Sequence, residues 1–296
     1  IQGYQEGSIN PRPNWKVVRE TPSTATVDSD RGLGTIITPK SMDIAIDKAK
    51  KVGLGMVAIG NARHLGMASY HAMKALDHDM IGVCMTSCPP SVLPTFGAEP
   101  RLGTNPIAIA VPCLNEPPFV FDAATSSVAV NKIRIAGRLG AEIPGGWLAA
   151  EDGSPIMEPS LAPENVTLLP LGSDREGGSH KGYGFSLMAE ILTTIISGDV
   201  PSMLAESSGA SHHNFIAYNI AAFTDLEIFK SHMDAMLKNL RETPAAPGHE
   251  RVYYPGLSEH EEEGLRRKRG IPLHKEVVEW FEGIAGELSV PGLKVL

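Results

Sequence analysis

The alternation of apolar and polar positions divides the chain into short strands and amphipathic helices. Residues 16–28 alternate in the manner of a half-buried strand, with Val17, Thr24, Thr26 and Val27 supplying β-branched bulk. Residues 41–51 read as a helix: Ser41 caps it, Met42, Ala45, Ile46 and Ala49 share one face, and Gly53 ends it. A four-residue apolar run, 56–59, stops at Gly60. A polar turn then delivers Arg63 and His64 before Met67, Tyr70, Met73 and Leu76 set a helical rhythm to about His78. Short apolar runs at 80–85, 107–111 and 119–121 predict further strands, the last ending in Asp122. Strands alternating with helices imply an α/β protein. Because several strands follow one another between 80 and 121, the expected class is mixed, with α+β character, and a purely parallel sheet is not assured.

The second half is read the same way. Residues 137–160 are rich in Gly and Pro and predict a loop, and 170–182 a second flexible stretch. Phe185, Met188, Leu192 and Ile195 then mark a strong helix. Residues 225–240 predict another, 243–248 a proline-rich break, and the tail from Ser258 helices split by Gly270, Ile271 and Pro272. Residues 1–15 are a polar, proline-bearing opening segment. His212 and His213 read as part of a polar loop without a partner of ligand spacing.

Composition narrows the function classes. With 296 residues and 42% hydrophobic positions the chain can bury a core. A net charge of -8 argues against nucleic acid, which needs a concentrated basic face. No run approaches a membrane span. Three irregularly spaced cysteines fit neither a disulfide framework nor a zinc site, so a reducing, cytoplasmic setting is expected. His64, His71 and His78 recur every seven residues, two helical turns or about 10 Å apart, too far to share one ion; no metal is expected.

Chemistry concentrates at three places. His64 stands at a strand-to-helix junction, where open α/β architectures gather ligands, although a histidine there also serves as a capping or surface side chain. Asp122 closes a strand, as a ligand contact or as the N-cap of the next helix. His180 and Lys181 lie in a glycine-rich cationic loop running into a helix, where free backbone N–H groups and the dipole favour an anion; Lys181 pairs with a phosphate, with a substrate carboxylate, or with solvent. The G-x-G-x-x-G dinucleotide fingerprint is absent.

These pieces occur in the order seen in a known family. Gly7 with Asn10 and Pro11, Gly32-Leu33-Gly34, Asn61 through Gly66, Gly103-Thr104-Asn105-Pro106, Asp122-Ala123-Ala124-Thr125-Ser126, Pro144-Gly145-Gly146-Trp147, Pro170-Leu171-Gly172, His180-Lys181-Gly182-Tyr183-Gly184, Pro255-Gly256 and Gly270-Ile271-Pro272-Leu273 together resemble the type-2 malate/L-lactate dehydrogenases, a group that includes sulfolactate and ureidoglycolate dehydrogenases. The resemblance covers essentially the whole chain. It implies a non-Rossmann NAD(P)-binding fold of the L-sulfolactate dehydrogenase type, dependence on NAD or NADP, and a homodimer.

It further implies that His64 is the proton acceptor from the substrate hydroxyl. Asp122, Ala123 and Ala124, Gly172 and Ser173, and Pro255 and Gly256 become cofactor contacts, with His180 and Lys181 added; Asn105 and Arg63 are assigned to the substrate side. Arg63 replaces the small polar residue or second histidine common in the family, so selectivity is expected to differ. Family members also carry an upstream helical segment with a Ser-His-Gly turn, an Arg and a Tyr. That segment is missing here; its Ser-His pair handles the proton in some members, and its Arg suits a carboxylate clamp.

The expected organisation is an outer domain of residues 1–80 with a return at 244–258, a cofactor-binding domain of 81–243, and C-terminal helices at 259–296. Two functional hypotheses follow: a dehydrogenase of a small L-2-hydroxy acid of the malate or L-lactate type, or a truncated, catalytically weak cofactor-binding or structural member of the family.

Overall fold

A computed structural model of the chain describes residues 2–205 and 210–293. One helical turn, α1 (Gln2–Gln5), precedes β1 (Lys16–Glu20), β2 (Thr24–Asp28), the long helix α2 (Gly34–Val52), β3 (Leu54–Ala62), the short helix α3 (Ala68–Met73) and β4 (Met80–Ser87). Then come β5 (Ile107–Val111), β6 (Phe119–Ala123), α4 (Val130–Leu139), the two-residue strands β7 (Glu142–Ile143) and β8 (Ser160–Leu161), and α5 (Ser179–Glu190), which widens into a π turn at Ile191–Ile195. Strand β9 (Ser211–Asn219) returns to the sheet, and α6 (Leu226–Arg241), α7 (Leu257–Arg269) and α8 (Lys275–Leu288) complete the chain.

Seven strands form one mixed sheet in the order β1-β2-β3-β9-β4-β5-β6. The β2–β3 pair, joined through α2, is parallel, and the other pairs are antiparallel. Residues 16–28 are therefore two strands and not one. Pro22 cannot donate to a ladder, and the Thr21 and Thr24 hydroxyls close the turn at 2.8 Å. Helix α2 starts seven residues before Ser41, whose hydroxyl donates back to the Ile37 carbonyl at 3.1 Å from inside the helix.

The larger correction concerns His212 and His213. They do not lie in a polar loop; they sit in β9, the central strand, between β3 and β4. Burying Phe215 completely, together with Ala217, draws this segment inside, a gain of about 1.5–3 kcal/mol for the phenylalanine alone. A buried imidazole left unbonded would cancel that at about 1–3 kcal/mol, so the strand depends on partners for both histidines, although the neighbouring Asn214 bonds through Nδ2 alone and its Oδ1 has no partner among the described residues.

Helices α2 and α3 cover one face of the sheet, and Val27, Ile37, Met42, Ile46, Val57, Ile59 and Phe215 form the main core. A second cluster gathers Val92, Leu102, Val128, Ile133, Ile143, Leu148 and Leu168, and a third joins Leu237, Tyr254 and Leu257. The domain boundary expected at residue 80 falls inside the sheet, because β3 and β4 both pair with β9. Among the described residues no helix is long and apolar enough to cross a membrane.

Candidate active site

The junction after β3 is built by an irregularity. Pairing with β9 shifts between Ile59 and Ala62, and Asn61 takes a left-handed φ of 52°, its side-chain amide donating to Asp28 Oδ1 at 3.1 Å. Such a bulge re-aims the residues that follow it. Residues 63–67 leave the sheet as a turn, Leu65 points into the core and His64 is exposed. His64 Nδ1 accepts the Gly66 N–H at 3.0 Å, so the neutral ring carries its proton outward on Nε2.

The same turn is gripped from behind. His213, fully buried on β9, donates Nε2–H to the Arg63 carbonyl at 3.1 Å, and its Nδ1 takes the Thr86 hydroxyl at 2.7 Å. Burial pushes His213 down to about 3; the Arg63 carbonyl opposes this, and the nearby His212, His71 and His64 add to it. His71, buried on α3, donates Nε2–H to the Leu65 carbonyl at 2.9 Å, with the Thr38 hydroxyl 3.2 Å from each ring nitrogen. Burial again lowers its basicity, against the Leu65 bond. Gly34, the first residue of α2, closes the third side: a Cβ there would stand 2.5 Å from the Arg63 carbonyl oxygen and from Leu65 Cα.

The residues assigned to the substrate side have other engagements. Arg63 Nε donates to the Ser8 carbonyl at 2.6 Å and Nη1 to the Ala62 carbonyl at 2.7 Å; burial and the neighbouring Arg31 lower its pKa. Asn105 is wholly buried, with Oδ1 accepting from the Cys88 N–H at 2.9 Å and Nδ2 reaching the Ser186 carbonyl and Glu190 Oε2 at 3.2 and 3.4 Å. Its side chain braces α5 against the strand β4 exit and does not face open space.

The cofactor candidates fall along one line. Asp122, on β6, accepts the Ser69 N–H at 2.7 Å; it caps α3, the helix that follows His64, and not the helix next in sequence. Pro255 and Gly256 lie beside the same strand, the Pro255 carbonyl accepting the Val120 N–H at 3.1 Å. Beyond Ala123 and Ala124, the Thr125 carbonyl takes the Leu171 N–H at 2.9 Å, and Ser127 Oγ stands 3.3 Å from Ser173 Oγ. That brings Gly172 and Ser173 to the start of α5. Gly172, at φ 97°, comes so close to the 178–179 backbone that a Cβ would meet it at 2.6–2.7 Å.

The expected free N–H groups at this helix start are mostly taken: Asp174 binds those of Gly177 and Ser179, and the Gly178 carbonyl that of Lys181. What is left is a cationic cluster. Arg175 donates to His180 Nδ1 at 2.9 Å, desolvation and the charges of Arg175 and Lys181 hold His180 below its ordinary value, and Lys181 makes no ion pair among the described residues. A cavity of about 560 Å³ opens beside it, lined by Thr95, Phe96, Ser173, Asp174, Arg175 and Ser179. Among the described residues no group of three or more His, Cys, Asp or Glu side chains gathers to hold a metal ion.

A sequence model described as malate/L-lactate dehydrogenase matches residues 1–282. The chain belongs to the malate/L-lactate dehydrogenase family. The malate dehydrogenase of Pyrococcus abyssi is 40% identical over 300 residues, covering 100% of this chain and 83% of that protein. The solved malate dehydrogenase of Entamoeba histolytica is similar with a TM-score of 0.91 at 35% identity, over 98% of this chain and 84% of that one. The sulfolactate dehydrogenase of Methanocaldococcus jannaschii gives 0.85 at 38% identity, over 98% and 83%. The expected fold, of the sulfolactate dehydrogenase type, is the observed one, and the protein is a hydroxy-acid dehydrogenase.

In this dehydrogenase the residues that sequence reasoning missed are those behind His64: His71, His213, Thr38, Thr86 and Gly34. One signal was present. Phe215, Ile216, Ala217 and Tyr218 form an apolar, strand-favouring run one residue after the paired histidines.

Proposed function

We propose that this enzyme moves a hydride between the nicotinamide of NAD or NADP and C2 of a small L-2-hydroxy acid of the malate or L-lactate type. The observation that carries the reading is the exposed His64 ring, held at the mouth of the β3–α3 turn, with Asp122 tying that turn's helix to the strand bearing the cofactor candidates. Oxidation at C2 removes a hydride and the hydroxyl proton, and a positioned imidazole suits the second task. The nicotinamide supplies the hydride acceptor or donor.

The residues present fit such a cofactor. Lys181 and Arg175 offer charge to phosphate with the His180 ring between them as a hydrogen-bonding group, Ser173 lines the cavity next to Gly172, and Pro255 and Gly256 close on β6 at Val120, beside Ala123 and Ala124. At the substrate, the Nε2 side of His64 faces the C2 oxygen and, in the resting Nε2–H form, offers it a hydrogen bond. In both directions the proton moves at Nε2 between a ring protonated on Nδ1 alone and a ring protonated on both nitrogens, so the Gly66 N–H releases Nδ1 during the step. The Arg63 and Arg31 guanidiniums add a positive field that favours an anionic substrate.

A homodimer is part of the reading, supported by the exposed apolar stripe of Phe185, Met188, Ile191 and Ile195 along α5 and its π turn. Light scattering checks it. The three unpaired cysteines support a cytoplasmic setting. The deciding experiment titrates NADH and NADPH by nicotinamide fluorescence and then adds 2-oxo acids, including oxaloacetate, pyruvate and sulfopyruvate. Binding of one cofactor and its oxidation by one acid is expected; binding of neither refutes the proposal.

A further inference from the structure

His213 on β9 and His71 on α3 are buried with no open space to act in, yet their donors converge on one three-residue stretch. We infer that His213 and His71 are positioning residues that set the orientation of His64 by fixing the carbonyls on either side of it, Arg63 and Leu65. The arrangement is the same twice over: a threonine hydroxyl beside the imidazole, and the imidazole Nε2–H on a carbonyl.

Several observations support an orienting role over simple filling of the core. The turn follows an irregular strand end, so no ladder bonds hold it, and the two imidazoles replace them. A carbonyl acceptor fixes the proton on Nε2 of each ring, and for His213 the Thr86 hydroxyl on Nδ1 locks that form. His213 stays neutral throughout the range in which an ordinary imidazole titrates, so it is a permanent donor and places no second positive charge behind His64. Gly34 bars the turn from moving toward α2. With Arg63 and Leu65 both held, the Gly66 N–H is aimed at His64 Nδ1, and the ring tautomer of His64 follows from the backbone.

The inference rests on the assignment of proton transfer to His64, and the test separates the two. The 296-residue chain, labelled with 15N-histidine, reports the His64 tautomer, its signal identified by its loss in His64→Ala. His213→Leu removes the donor and His213→Gln keeps one near the same place. In the leucine variant we expect the His64 signal to move from the Nε2–H form to a mixture as the turn loosens, and kcat to fall about 10- to 100-fold with cofactor KM unchanged, because the ring leaves its position at the substrate and not because its tautomer changes. In the glutamine variant we expect the tautomer restored and kcat within about threefold of the parent.

A folded leucine variant with an unmoved His64 signal overturns the inference, even if its rate is lower, because that is a packing effect. So does a glutamine variant no better than the leucine one. If the leucine variant does not fold, Thr86→Val carries the test: freeing His213 Nδ1 is expected to mix the His64 tautomer, and an unchanged signal refutes the clamp. Should His64→Ala keep full activity, the proton assignment fails, while the NMR result still decides the clamp.

Discussion

The two halves of the candidate site are built in opposite ways. Behind His64 two buried imidazoles face the turn: His213, between the Thr86 hydroxyl and the Arg63 carbonyl, and His71, on the Leu65 carbonyl beside a Thr38 hydroxyl that donates to the Gly34 carbonyl. At the start of α5, Arg175, His180 and Lys181 are exposed and share a positive field. The first half holds its turn from two sides, the restraint that a proton-transferring group needs. The second collects charge over a distance, which suits the large anionic cofactor proposed for it and tolerates imprecision.

The contrast is broken most severely at His64 itself. His64→Ala is expected to reduce kcat by ~10²–10⁴ with cofactor affinity unchanged, since a general acid-base group is lost and no packed group is disturbed. Steady-state rates alongside the nicotinamide titration check this. Full activity in a folded variant would move the proton step elsewhere.

Next in size is Gly34→Ala, which tests the wall and not the ring. The added methyl stands 2.5 Å from the Arg63 carbonyl oxygen and 2.8 Å from that of His64, both backbone atoms, so the turn or the start of α2 must shift. A loss of about 1–3 kcal/mol in denaturant stability is expected, from overpacking. It should come with a fall in kcat larger than any change in cofactor binding. The same substitution at Gly184, where nothing lies within 4 Å, is the control and should cost little.

Acid sharpens the comparison because only the buried half responds through folding. His213 has a folded value of about 3 against an ordinary 6.5. Below about 6.5 the unfolded chain binds a proton that the folded chain refuses, so the neutral burial is tolerated above that value and increasingly costly as pH falls toward 3. The loss reaches about 2 kcal/mol by pH 5. His213→Gln should flatten denaturation midpoints between pH 7 and 5 relative to the parent; equal slopes would show that another group sets acid stability.

This half was the less legible in sequence. The strand-turn-helix around His64, and β5 and β6, could be read locally, because each rests on a short apolar run and a turn signal. Strand β9 could not. His212, His213 and Asn214 break its alternation, and what makes them acceptable inside are partners remote in the chain: Thr86 and Arg63 for His213, Asp199 for His212, and the Leu192 carbonyl for Asn214. Asn105 shows the reverse case: its motif is visible in sequence, whereas the bonds of its amide to Cys88, Ser186 and Glu190 are not. Sequence order alone gives no measure of which polar side chain is already satisfied.

The smallest expected effect lies at Lys181, and its salt dependence says more than its size. The side chain is exposed and unpaired among the described residues, so its attraction to a phosphate is worth about 1 kcal/mol or less. Lys181→Ala should therefore weaken cofactor binding by about threefold to fivefold at low ionic strength. The gap should close at about 1 M salt, where charges a few ångströms apart are screened. Lys181→Arg should bind as the parent does, because a diffuse field needs charge and not a particular geometry. A Lys181→Arg protein as weak as the alanine variant, or a deficit that persists at high salt, would mean that Lys181 makes a direct, desolvated contact. The cofactor half would then depend on placement as closely as the histidine half does, and the contrast between them would vanish.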